Sequence, residues 1–306
     1  MGVHRGRPRI LCVGTAAIDT IAVVPTMPLR DSRVTSPLFR TAGGGPAATA
    51  AVTIARLGLP VEFCGVVGRD EIGDAAVAGL VAAGVGVHHV ERRADITTAQ
   101  SMILICADDA SRTIITQPAP PPRALPTGFD WIHLDHAGYP ALSSELRRSA
   151  TVSLDDGNAV DNLDLHGLDL YVPTAEVVRR RFTTDSVAAS AARARAAGAA
   201  TVVVTDGGAG ASLHTEAGSY ASRAFGVEVN STLGAGDVFH GALVAGLANG
   251  RDARSAVDYA NACAALSCRA IDGQSGIPSP AEVAALLQSP AFAAPPGECR
   301  DEGVSC

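Results

Sequence analysis

The residues best equipped for chemistry lie in one segment, Asn230-Ser231-Thr232-Leu233-Gly234-Ala235-Gly236-Asp237-Val238-Phe239-His240-Gly241-Ala242. Gly234-Ala235-Gly236 opens an apolar helix, and glycines there let backbone N–H groups approach a ligand closely. The helix N-terminus adds roughly half a positive charge. Together they make an anion site that needs no lysine. Asp237 stands in the first helical turn. Asp is favoured there as a cap, yet capping does not explain the Gly-Ala-Gly in front of it. A carboxylate beside an anion cradle can instead take the proton of an attacking hydroxyl.

Other constellations carry less. In His133-Leu134-Asp135-His136, strand alternation puts His133 and Asp135 on one face and His136 on the other. No Cys or His spacing completes a zinc set, so a structural or pocket role fits best. His240 follows Asp237 by three residues, on a similar helix face, and packing is its simpler account. Arg179-Arg180-Arg181 reads as a solvated helix face.

The elements that must position these residues alternate. Short Val/Ile/Leu runs at 10–14, 61–67, 131–135, 152–154, 168–172 and 201–205 read as buried strands. A further strand-like run at 224–229 leads into the Gly-Ala-Gly corner. Helical stretches are expected at 47–57, 74–83, 141–149, 174–182, 186–197, 235–249, 253–268 and 280–287, the first with Pro46 at its start and Gly58 past its end. Such alternation indicates an α/β domain with a parallel sheet covered on both faces. The segments 20–42 and 99–117 break it, having polar-faced strands without crossover helices. They are expected to form a small antiparallel sheet that serves as a lid or a dimer contact. Residues 289–306, rich in Pro, Ala and Gly, read as a loose tail.

Charge excludes several classes. The 306 residues hold 24 basic and 31 acidic side chains, a net charge of −7, which is no footprint for nucleic acid. Every basic residue among the 24 is Arg. Schiff-base chemistry needs a lysine amine, and Walker A loops and protein kinases place a lysine on the nucleotide phosphates. Phosphate chemistry here must rest on Arg, backbone N–H groups, helix N-termini and metal ions. The seven cysteines are scattered, mostly in apolar runs, and form no C-x-x-C pair. No apolar run reaches the roughly 18 residues of a membrane span, and no signal peptide is evident. A cytoplasmic protein without membrane contact is expected.

The 230–242 segment resembles the second signature of the ribokinase-like (PfkB) carbohydrate kinases, whose usual form is Asp-Thr-x-Gly-Ala-Gly-Asp. Gly44-Gly45 with its helix, then Phe63-Cys64-Gly65-Val66-Val67-Gly68-Arg69-Asp70 and Gly73, resembles the first signature. The resemblance runs from about Ile10 to Leu287. It implies a three-layer, Rossmann-like sandwich with a β lid as a single domain over 1–306, and ATP-dependent transfer of a phosphoryl group to a sugar or nucleoside hydroxyl. It makes Asp237 the base, and Gly234, Ala235 and Gly236 the anion hole. Asp19, Gly44, Gly45, Thr49 and Arg112 become sugar or phosphate contacts. Thr205, Gly207, Gly210, Thr232, Asn261 and Gly273 become nucleotide contacts. Glu176 helps to place Mg²⁺ indirectly, and a monovalent cation such as K⁺ is an optional further ligand.

The sequence also departs from that pattern. Ser231 replaces the first Asp of the signature, Pro173 replaces the Asn of an Asn-x-x-Glu motif, and Thr49 and Pro46 replace polar sugar contacts. The wording of 43–51 and 236–243 is similar to sulfofructose kinases, and that of 111–115 with 131–133 to ketohexokinases. A ketose is therefore the expected substrate. Arg33 and Arg112 are candidates for an anionic group on it. A nucleoside kinase of the same fold is the first rival, although Phe39 is the only aromatic residue of the lid segments. A sugar-binding regulator without catalysis is the second. A homodimer through the lid edges is expected from exposed strands.

Overall fold

The computed structural model describes residues 7–108 and 111–289; the tail expected at 289–306 falls, from residue 290 on, outside them. Strands β1 (Ile10–Val13), β4 (Val61–Gly68), β5 (Gly86–Arg93), β8 (Trp131–Leu134), β9 (Thr151–Asp156), β10 (Leu170–Pro173) and β11 (Thr201–Thr205) run parallel. The hairpin β12 (Ala211–Thr215) and β13 (Gly218–Ser222) extends the sheet antiparallel at one edge, giving the order β13-β12-β11-β10-β9-β8-β1-β4-β5. Alternation sorts the strand side chains into two cores. Ile10 and Cys12 face a layer with α1 (Pro46–Arg56), α2 (Glu71–Ala82), α6 (Ala235–Ala248), α7 (Ala253–Ser267) and α8 (Pro280–Leu287). Leu11 and Val13 face the other, with α3 (Leu146–Ser149), α4 (Ala175–Phe182) and α5 (Val187–Ala196).

A second sheet stands apart: β2 (Ala17–Val24), β3 (Leu38–Gly44), β6 (Gln100–Cys106) and β7 (Arg112–Thr116), in the order β3-β2-β6-β7. It is mixed, because β2 and β6 pair parallel. Its register places Asp19, Ile21, Arg40, Ser101, Ile103, Ile105, Arg112 and Ile114 on one face. Phe39, Ala22, Met102, Leu104 and Ile115 lie on the other, with Phe39 70% and Ile115 63% exposed.

Several local expectations differ from this fold. Residues 224–229 are irregular rather than a strand. The sheet edge they would pair with is taken by the β12–β13 hairpin, whose alternation is weak and was not read from the sequence. The 141–149 helix shrinks to a 3₁₀ turn at Tyr139–Ala141 and the single turn of α3. Pro140 and the Ser143-Ser144 pair disfavour anything longer.

Candidate active site

The carboxyl ends of the parallel strands open on the crevice where doubly wound sheets bind ligands. Val13, Leu134 and Leu154 are in register, so the next residues on β8 and β9, Asp135 and Asp155, crown neighbouring strands. Asp135 accepts backbone N–H bonds from Thr15 (2.8 Å), Ala47 (3.3 Å), Ala137 (2.8 Å) and Gly138 (2.9 Å). It ties the β1 and β8 ends to the start of α1. Burial still outweighs these donors and raises its pKa.

Asp155 behaves oppositely. Burial works against its charge, but His240 Nε2 lies 3.1 Å from its Oδ1 and the Gly157 N–H 2.7 Å away, and its pKa falls to about 2. His133, below it on β8, packs against His240 with ring centroids 5.6 Å apart. Ser153 Oγ accepts the Trp131 indole N–H at 2.8 Å and lies 2.9 Å from His133 Nδ1. Burial, then His240, lowers the His133 pKa to about 3. His133 Nε2 and His240 Nδ1 are buried with no partner among the described residues. No group of three or more His, Cys, Asp or Glu among the described residues could hold a metal.

Asp237 is half-buried at the head of α6 and makes no side-chain hydrogen bond among the described residues. Capping is thus not its role here. The cap is Gly234, at φ 73°, where a Cβ would lie 2.5 Å from the Cα of Gly273. Only glycine allows both that left-handed backbone and that approach. Of the three residues expected to form the anion hole, Ala235 turns its N–H back to Thr232 O at 3.3 Å. The first-turn N–H groups of Gly236 and Asp237 are the unspent ones. Burial, then the charges of Asp155, Asp135 and Asp19, raise the Asp237 pKa well above the usual carboxylate range, while Arg112 opposes them.

The lid closes over this corner. Arg112 Nη1 donates to Thr232 Oγ1 at 2.5 Å. Asp19 is buried on the inner face of the lid against Gly44, where a Cβ would come within 2.1 Å of its Oδ2. Burial raises the Asp19 pKa and a hydrogen bond from Ser101 opposes that. Gly45 caps α1, and Thr49 on that helix receives Gln274 Nε2 at 3.2 Å. Sequence reading placed Gln274 only within the 273–275 loop on the nucleotide side, and it missed Arg40. Arg40 lies 2.9 Å from Asp272, whose oxygens also accept from the N–H groups of Gln274 and Ser275 and from Ser275 Oγ. Opposite Ile21 in the strand register, Arg40 is forced inward. Arg33 is exposed in the β2–β3 loop.

The expected nucleotide residues lie on several elements, with Gly273 against Gly234. Thr205 ends β11 and bridges to Thr174, the cap of α4. Gly207 and Gly210 frame the turn into β12. Asn261 on α7 spends its amide on Ser222 O (3.2 Å) and Ser222 Oγ (2.7 Å), so it anchors the end of β13 instead of reaching a ligand with that group. Glu176 is 83% exposed on α4 with Arg180 3.7 Å away. A solvated carboxylate of this kind can orient the water shell of a phosphate-bound Mg²⁺, so the residue fits that ion. A monovalent cation fits less well: the Asp272 carboxylate is saturated by its four donors, and Ser231 Oγ is taken by the Leu233 N–H.

The family model described as pfkB family carbohydrate kinase matches residues 7–162 and 170–280. An ATP-dependent ribose-1-phosphate kinase from Halopiger xanaduensis is 29% identical over 297 residues, covering 91% of this chain and 98% of that one. The crystal structure of ribokinase from Thermotoga maritima shares the fold with a TM-score of 0.81 at 24% identity, covering 92% of this chain and all of that one. Arabidopsis thaliana ribokinase, complexed with ribose and ATP, shares it with a TM-score of 0.78 at 20% identity, over 93% of this chain and 100% of that one.

Proposed function

The chain belongs to the pfkB family of carbohydrate kinases and is an ATP-dependent kinase of that class, and we propose that it phosphorylates a primary hydroxyl of a small ketose, fructose-like or sulfofructose-like. The carrying observation is the meeting of an unpaired carboxylate, Asp237, with the unspent N–H groups of Gly236 and Asp237 and with Arg112 of the lid. In this reading Asp237 takes the proton of the sugar hydroxyl as the hydroxyl oxygen attacks the γ-phosphorus of ATP and the bond to the departing ADP breaks. The two N–H groups and Arg112 offset the charge that develops on the transferring phosphoryl oxygens. Asp19, the bare backbone of Gly44 and Gly45, and Thr49 hold the sugar. Thr205, Gly207, Gly210, Thr232 and Gly273 cradle ATP, with Asn261 supporting them from behind. Glu176 would hold a water of the Mg²⁺ ion that, when bound, would neutralise charge on the phosphates. Lid closure keeps water from acting as acceptor.

A ribosyl sugar is the second reading, favoured by the names of the similar kinases. A nucleoside acceptor is supported no better than these sugars, by the name of a similar aminoimidazole riboside kinase, and no observation favours a non-catalytic regulatory role. The apolar outer face of the lid, with Phe39, Met102 and Ile115 exposed, supports a homodimer through that face. Five buried free cysteines support a reducing, cytoplasmic setting, and no described helix is long and apolar enough to cross a membrane.

An acceptor panel with MgATP tests the reading: fructose, a sulfonated ketose, ribose, ribose 1-phosphate and adenosine, followed by ADP release. A ketose should give the highest kcat/KM. Preference for ribose or its phosphate establishes the second reading. Preference for adenosine overturns both, and ligand binding without any sugar-stimulated ADP release means a regulator.

A further inference from the structure

The pair beneath Asp237 has no role in the reaction as described so far. His240 stands on α6 three residues after Asp237, and its Nε2 faces Asp155 Oδ1 at 3.1 Å. Both side chains are almost fully buried, at 4% and 7% exposure. A carboxylate withdrawn from water this far is retained only when it is paired and hydrogen-bonded. Here its partners are His240 and the Gly157 N–H. The pair also links the carboxyl end of β9 to the first turns of α6, the helix that carries Asp237.

We propose that Asp155 and His240 form a positioning pair for the phosphoryl-transfer base: by tying the first turns of α6 to the carboxyl end of β9, the pair fixes the helix turn that carries Asp237 and keeps a buried negative charge beside it. This rests on the kinase reading above. The groups that face the pair are His133 and Asp135 from β8 and Asp237 itself, while Asp19 and Arg112 from the lid act on Asp237. Asp135 is already held by four backbone N–H groups, and Asp19 by Ser101. Asp155 is the carboxylate held by a side chain of α6, the helix that carries Asp237. Its charge raises the pKa of Asp237, which makes the base stronger at neutral pH.

The test is the pH dependence of kcat, with sugar KM, for the full chain and three variants, with folding checked by thermal melting. Asp155→Asn should keep the contact with His240 and move the acid limb of kcat to lower pH by about one unit, with KM for sugar changed less than about twofold. His240→Leu should lower kcat by at least about tenfold, and His240→Gln, which restores a donor near the Nε2 position, should recover most of it. An unmoved acid limb in folded Asp155→Asn overturns the proposal. If that variant does not fold, equal kcat in His240→Leu and His240→Gln overturns it instead. A wild-type chain with no phosphoryl transfer would refute the kinase reading itself, a separable result.

Discussion

Arg112 on the lid and Thr232 at the glycine corner are joined by a hydrogen bond of 2.5 Å, across 120 residues of chain. This bond carries a positive charge from β7 to the place where phosphate oxygens would lie, in a protein with no lysine to put there. It also makes lid closure and charge delivery one event. A guanidinium can hold Thr232 and a phosphate oxygen together because its donors form a planar fork.

Arg112→Ala should therefore lower kcat/KM by about 10- to 100-fold, the worth of one charge-assisted hydrogen bond. Arg112→Lys should recover only part of that, because an ammonium lacks the fork. Steady-state kinetics with saturating MgATP and varied sugar measure both.

The contact between Gly44 and Asp19 predicts a loss confined to sugar binding. A methyl group at Gly44 would lie 2.1 Å from Asp19 Oδ2, so Gly44→Ala must push that carboxylate aside. The KM for sugar should rise about tenfold or more, against a change of less than about twofold in the KM for ATP.

Asp237 should act against stability. Its pKa is raised well above normal by burial and by three neighbouring carboxylates. A raised carboxylate pKa means that the folded state holds its proton more tightly than the unfolded state. Stability from this group is thus present at low pH and is lost as pH rises through the folded value. Asp237→Asn should melt higher than the wild type at pH 8, by about 1 kcal/mol or more, and the gap should close toward pH 4. Calorimetry at both pH values reads the difference.

His133 predicts the reverse slope. Its pKa is lowered to about 3, so between about pH 6.5 and 3 the unfolded chain takes up a proton that the folded chain does not. The folded state should lose about 1.4 kcal/mol per pH unit from this residue over that window. Chemical denaturation from pH 7 to 4.5 should show a shallower slope for His133→Gln.

The corner itself was legible in the sequence because its requirements are local. Gly234, Gly236 and Asp237 are neighbours, and glycine before a helix has a backbone reason to be there. The parallel strands were legible because a strand buried on both faces reads as an unbroken apolar run. What the sequence hid are partnerships made across the fold. Asp155 and His240 are 85 positions apart in chain number, and each looks ordinary alone. Arg40 gains its partner Asp272 through a strand register that alternation does not set. The β12–β13 hairpin was missed since Ser212, His214 and Ser219 give it no clear two-residue period. The bond from the Asn261 amide to Ser222 was hidden for the same reason, since Ser222 lies on that hairpin.

The most direct test of the central claim is Asp237→Asn, with sugar-dependent ADP release and ATP binding by calorimetry measured on the same preparation. The account predicts a loss of kcat by about 10³-fold or more, the scale of general-base catalysis, with ATP affinity kept within about threefold. A variant that turns over at near wild-type rate would show that the carboxylate at this corner is not the base.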